Sequence, residues 1–187
     1  MEALLRHLPE IALASALAWG SGLRLYATLF ALGAAGWLGW IELPEHLGLL
    51  AHPLILSASG FMALVEFGAD KVPWLDSLWD TVHTFIRIPA GAALAAAVFG
   101  DGAAALAAAI LGGTLAAGTH LAKAGSRALI NTSPEPFSNW TASFTEDTAV
   151  LGGLWLALVK PAVFLVILAL LIVLALLLFA WVKRKLR

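Results

Sequence analysis

The chain of 187 residues contains no cysteine, a single tyrosine and few charged side chains. The absence of cysteine excludes disulfides, thiol nucleophiles, thiolate metal sites and iron–sulfur clusters. Asp, Glu, Lys and Arg make up only 12% of the residues, whereas a soluble domain carries about 25%. Together with a hydrophobic fraction of 61% and a mean hydropathy of +0.91, this deficit predicts an integral membrane protein in contact with the lipid bilayer.

The net charge of −1 argues against a nucleic-acid partner. Strict alternation of apolar and polar residues is absent, which favours helices as the membrane-spanning elements. The sequence also lacks a P-loop, a dinucleotide fingerprint, an H-E-x-x-H helix and a G-x-S-x-G elbow. We therefore expect no cofactor, and a role other than catalysis is favoured.

The apolar segments predict an all-α, polytopic membrane domain that covers residues 1–187 and contains about six transmembrane helices. These segments lie at 9–39, 50–70, 83–100, 102–124, 141–159 and 161–183, the last with a basic tail. The first is over-long and holds glycines near its middle. It is either one tilted helix or a broken helix whose half-helix end lines a cavity. A weak internal repeat at an offset of 52 residues aligns Lys71 with Lys123.

The orientation follows from the distribution of Lys and Arg. Basic residues collect in the second and fourth joints and in the C-terminal tail, whereas the opposite side has only Lys160. This bias predicts an inner-membrane protein with both termini in the cytoplasm.

Three apolar runs are too short to cross a bilayer. Residues 53–65 and 88–100 are 13 uncharged residues each and residues 148–159 are 12. A run of this length covers about 20 Å of a hydrocarbon core of about 30 Å. The residues that must extend these helices are Glu66 and Asp70; Asp80, His83 and Arg87; and Glu146 and Asp147. Because the predicted topology puts them all on one side, they predict a polar cavity open to the cytoplasm.

Arg24 lies at the centre of the first segment, where insertion scales penalise it by about 2.5–3.5 kcal/mol. It needs a counter-charge or water, and the candidate partners are Glu66, Glu146 and Asp147. A purely structural ion pair and a transport role are both consistent with this pattern.

Two stripes of polar residues are candidate ligand sites. The candidate metal ligands are Glu66, Asp70, Asp80 and His83. The alternative is a solvated connector, which we favour for Asp76 because acids are stabilised in a first helical turn. His120, Lys123 and Arg127 form a basic stripe on one helix face, which predicts either snorkelling cations or a site for an anion or lipid headgroup.

Several of these positions fall in motifs that resemble a known family. They include Gly22-Leu23-Arg24, the E-x-x-x-D-K-x-P stretch that begins at Glu66, and H-x-x-K-A at His120. A proline-rich loop adds the residues Pro134, Glu135, Pro136, Phe137, Ser138, Asn139 and Trp140. Over residues 10–160 the chain resembles the bacterial membrane-protein family called domain of unknown function 4126. The resemblance implies a membrane location and no particular activity.

The resulting hypothesis is a small transporter or permease-like protein for an ion or small solute. Its ligand cavity is predicted to involve Arg24, Glu66, Asp70, Asp80, His83, His120, Glu146 and Asp147. One alternative is a membrane enzyme that acts on a lipid-linked or phosphate-bearing substrate, with Asp80 and His83 as base and orienter. The other is a non-catalytic scaffold or accessory subunit. Small residues on the helix faces also permit a homo-oligomer.

Overall fold

The computed structural model describes residues 6–132 and 137–185, and this part of the chain is all-helical. The α-helices are α1 (Leu8–Trp37), α2 (Pro53–Ala69), α3 (Pro73–Phe99), α4 (Ala103–Ile130), α5 (Phe137–Val159) and α6 (Pro161–Lys185). A 3₁₀ helix, Glu45–Ala51, precedes α2. Six predicted segments therefore correspond to six α-helices, although α3 begins ten residues before its predicted start.

Proline and glycine set most of the helix boundaries. Proline occupies one of the first two positions of α1, α2 and α3, and it is the first residue of α6. At these positions the missing N–H has no intrahelical partner to lose. The turn between α3 and α4 uses Gly100 and Gly102, whose φ angles of 74° and 89° favour a residue without Cβ.

Helix α1 is broken at Arg24, whose backbone has non-helical angles of φ −144° and ψ 75°. The two half-helices, residues 8–23 and 25–37, fold back on each other. A methyl group placed on Gly20 would lie 2.6 Å from the Thr28 hydroxyl oxygen. Eight residues of a continuous helix would separate these positions by about 12 Å. Of the two forms that the sequence allowed, the structure has the broken one, and α1 is a helical hairpin.

The hairpin returns the chain to the face from which it started. Pro9 and Glu10 line a pocket of about 570 Å³ together with Glu45, Gly100 and Leu158. The start of α1 therefore lies beside the ends of α3 and α5. The prediction placed the start of α1 and the Gly100–Gly102 junction on opposite faces, and the structure corrects this. The physical reason is length, since residues 8–23 reach only about 24 Å before the turn.

The prediction of six transmembrane helices is also not confirmed. In the described part of the chain, three helices are long and apolar enough to cross a membrane: residues 74–99, 103–130 and 161–185. A fourth span results if the 3₁₀ helix and α2, which meet at an angle of 70°, form one bent crossing. Apolar helices of this kind are consistent with contact with the bilayer.

The hairpin is the centre of the bundle, and it contacts every other helix. Close approach depends on small residues, as expected between helices in lipid. A methyl group on Gly22 would meet the Ala116 carbonyl oxygen at 2.5 Å, and one on Gly112 would meet the Ala95 methyl at 2.5 Å. These small residues therefore serve contacts within one chain. Helix α6 is different, because only Phe164 and Leu168 of it are buried.

From the hairpin we predict on which side of the membrane three exposed positions lie. Single cysteines at His7, Asp101 and Thr132 introduce thiols into a chain that has none. We expect His7→Cys and Asp101→Cys to react with a membrane-impermeant thiol reagent from the same side. Thr132→Cys, at the other end of α4, should react only from the opposite side. Labelling of His7→Cys together with Thr132→Cys would show instead that α1 crosses the membrane.

Candidate functional site

The turn of the hairpin lies against a set of oppositely charged side chains, seven of them buried and two partly exposed, from five helices and the residue that follows α2. We call this set the charge network. It contains four cations and five carboxylates, namely Arg24, Glu66, Asp70, Asp80, Arg87, Lys123, Arg127, Glu146 and Asp147. With all nine groups ionised, the network carries a net charge of −1, because four minus five is −1.

Arg24 is 1% exposed and is surrounded by acceptors. Its Nη1 lies 2.5 Å from Asp70 Oδ2, and its Nε lies 3.0 Å from Asp147 Oδ1 and 3.4 Å from Glu146 Oε2. Its Nη2 donates to the carbonyl oxygen and the hydroxyl of Ser143, at 3.1 and 2.6 Å. Asp70, which was not among the expected partners, is thus the nearest carboxylate.

Asp70 is the most heavily shared carboxylate. Besides Arg24, its Oδ2 lies 3.1 Å from Arg127 Nη2 and 3.6 Å from Lys123 Nζ. Glu146 is shared in the same way, with Oε1 3.0 Å from Arg127 Nε and Oε2 3.4 Å from Lys123 Nζ. Three cations therefore surround two carboxylates, and removal of any one charge leaves an imbalance in a buried site.

The expected pair of Glu66 and Arg24 does not form. Glu66 instead accepts from Arg87, which also donates to Asp80 Oδ1 at 2.7 Å. Lys123 lies 3.6 Å from the same Asp80 oxygen and so joins this pair to the cluster around Arg24. Glu66 is thus paired with α3, whereas Asp70, just after the end of α2, is paired with the hairpin and α4.

The two histidines predicted for the site, His83 and His120, occupy different positions relative to the network. His120 is within hydrogen-bonding distance of Thr84 Oγ1, at 2.7 Å, and of Arg87 Nη1, at 3.2 Å, so it borders the network. His83 is paired with the Trp79 carbonyl oxygen at 2.8 Å and with the Tyr26 hydroxyl at 3.1 Å. These contacts give no support to Asp80 and His83 as a catalytic base and its orienter.

The basic stripe faces carboxylates. Lys123 and Arg127 form ion pairs with Asp70 and Glu146 in the charge network. These pairs give no support to a separate site for an anion or headgroup. The proposed metal ligands are also held apart by Arg and Lys. Among residues 6–132 and 137–185, no three His, Asp or Glu side chains are placed to hold a metal ion.

The family-motif loop is only partly described, since Pro134, Glu135 and Pro136 lie outside the described residues. Phe137 to Trp140 form the first turn of α5. Within it, Asn139 is fully buried, and both its carbonyl oxygen and Oδ1 accept from Arg127 Nη1 at 3.1 Å. The sequence motif pointed to Asn139 without a specific partner, and Ser143 was expected to cap a helix that in fact begins at Phe137.

The charge network, predicted to line a cavity open to the cytoplasm, is largely enclosed in this structure. The network side chains come together as expected, but Glu66 and Asp70 are 0% exposed. The pocket of about 570 Å³ lies at the face where α1 begins, and no network residue lines it. Glu66 and Asp70 can therefore exchange with water only if helices move apart, whereas Asp147, whose side chain is 28% exposed, lies at the edge of the network.

These features define a helical membrane protein that encloses a charge network around a broken helix. The chain belongs to the family described as Domain of unknown function (DUF4126), which it matches over residues 11–181. The match includes every member of the charge network and most of α6. No curated protein and no solved structure matches the chain.

Loss of the Arg24 charge should destabilise the fold. Arg24→Met leaves Asp70 and Asp147 short of one counter-charge, and breaking a buried pair costs about 3–5 kcal/mol. Asp147→Asn is the matched control, because the Asp147 side chain is 28% exposed and an exposed pair contributes about 0–1 kcal/mol. Thermal unfolding in detergent measures both variants. Equal stability of Arg24→Met and the unmodified protein would contradict this assignment.

Proposed function

We propose that the protein is a small inner-membrane transporter for an ion or small solute, and that the charge network is its substrate or coupling-ion site in a closed state. The observation that carries the proposal is the break of α1 at Arg24, which delivers a charged turn into the bundle. Non-helical backbone at membrane depth is tolerated only where protein or a cavity surrounds it.

Broken helices are a recurrent way to build ion and substrate sites, because their free ends point partial charges at the ligand. Here the first half-helix ends at Leu23, whose carbonyl oxygen accepts from Lys123 Nζ at 3.2 Å. The second half-helix begins beside Arg24, so its positive end lies near the carboxylates of Asp70 and Asp147. Both helix ends therefore belong to the same charged site.

The energetics support a functional role over a structural one. Moving charges out of water is costly, and apolar side chains that pack well often replace a buried ion pair without loss of stability. Ionisable groups inside membrane proteins accordingly mark ion and proton pathways. A scaffold could be built with apolar contacts in place of the nine charges, whereas a transporter needs groups that can exchange partners.

For the orientation, we propose that the hairpin enters from the periplasmic face and that α6 ends in the cytoplasm. The support is the basic end of α6, at Lys183, Arg184 and Lys185. The start of α1 would then lie on the periplasmic side. Arg87, Lys123 and Arg127 carry little weight in this assignment, because carboxylates neutralise them inside the bundle.

A transporter must open the site to water, and this can be measured with one thiol. Ser143 is fully buried and contacts Arg24, so Ser143→Cys places a sulfur of similar size beside the network. We expect a small, water-soluble thiol reagent to label it slowly from one side of the membrane, and a bulky reagent to label it far less.

Val150→Cys is the control for this experiment. Val150 lies on the same helix, is 1% exposed and takes no part in the charge network. It should resist both reagents. If Ser143→Cys also resists both reagents while the protein remains folded, the network is static and the scaffold alternative is favoured.

A further inference from the structure

Asp76 differs from every other buried carboxyl group in the described part of the chain. It is 0% exposed, yet no Lys or Arg of that part lies within ion-pairing distance of it. Its Oδ2 accepts from the side-chain amide of Asn131 at 2.9 Å. Its Oδ1 is buried and has no hydrogen-bond partner. The sequence pattern predicts Asp76 as a solvated acid in a first helical turn, but the structure buries it.

An ionised carboxylate in this position would lack compensation. A buried charge is tolerated when it is paired, and otherwise the group takes up or releases a proton and becomes neutral. The charged groups that face Asp76 are Arg127, Asp70 and Asp80, of which two are negative. Arg127 is already bound to Asp70 and Glu146. The charge network also has one carboxylate in excess, so an ionised Asp76 would change the local net charge from −1 to −2.

We propose that Asp76 is a proton-binding site, with the proton held on Oδ1 while Oδ2 accepts from Asn131. The proton comes from water and returns to water, and no other group is changed. This inference goes beyond the proposed function, which assigned the ligand site to the charge network alone. It names the ligand of a separate site as a proton.

The position of Asp76 explains how such a proton would be exchanged. Asp76 lies in the first turns of α3, and Asn131 caps the end of α4. Their hydrogen bond therefore joins the ends of two helices, and separation of these ends would admit water. Asp80 lies one turn further along α3 and contacts Arg87 and Lys123. A change of charge at Asp76 would therefore alter the electrostatic potential at Asp80 and, through Asp80, at the charge network.

Infrared spectroscopy of the folded protein in lipid nanodiscs tests the protonation state directly. At neutral pH the unmodified protein should show the carbonyl stretch of a protonated carboxylic acid. Asp76→Asn should abolish that band. Asp147→Asn is the matched control and should leave it, because Asp147 is paired with Arg24. The measurement needs no substrate, so its outcome is independent of whether transport is found.

Stability as a function of pH gives a second readout. If the folded protein holds a proton that the unfolded chain releases, stability falls as the pH rises through the range in which Asp76 ionises. Asp76→Asn, which is neutral and keeps the same shape, should be about as stable as the unmodified protein at neutral pH and should lack this decline. Asp70→Asn should be much less stable at neutral pH, because three cations lose their shared partner.

Two results would overturn the proposal. One is a spectrum in which the unmodified protein has no protonated-acid band at neutral pH, or in which Asp76→Asn keeps it. The other is a marked loss of stability in Asp76→Asn at neutral pH, since this would show that the ionised form is needed at the start of α3.

Discussion

The burial of Arg24 at the turn of α1 is the constraint on which the rest of the bundle depends. A guanidinium group cannot lose its proton in a protein, so the bundle must supply negative charge around it. Asp70, Glu146 and Asp147 do so from α5 and the end of α2. Those carboxylates in turn need Lys123 and Arg127 from α4. The buried charge of Arg24 thus determines how α2, α4 and α5 are arranged around it.

Packing and electrostatics act on the same segment. The hairpin can bring Arg24 to its partners only because Gly22 and Gly112 let helices approach without a Cβ between them. The charges then hold the helices at that distance. Such an arrangement favours a small number of discrete states over gradual deformation, which is the behaviour that alternating access requires.

Much of the fold and the polar composition of the site could be predicted from the sequence. The turn at Gly100 and Gly102 is a local property of two glycines, and the long apolar run of α6 needs no partner to be helical. The site candidates were chosen because charge within an apolar segment is costly wherever it lies. That argument identified Arg24 and Asp70 as site residues, but it could not pair them, because a pair depends on how helices meet.

The sequence by itself determined that this chain is helical, apolar and forced to bury charges. Only the tertiary structure decided that α1 turns back at Arg24, since a straight helix and a hairpin have the same composition and differ in their distant contacts, such as that of the Leu23 carbonyl oxygen with Lys123. It also decided that Asp76 is buried against Asn131, whereas the local sequence pattern predicts a solvated acid at the start of a helix. In each case the deciding free energy comes from residues far apart in the chain, which local pattern does not encode.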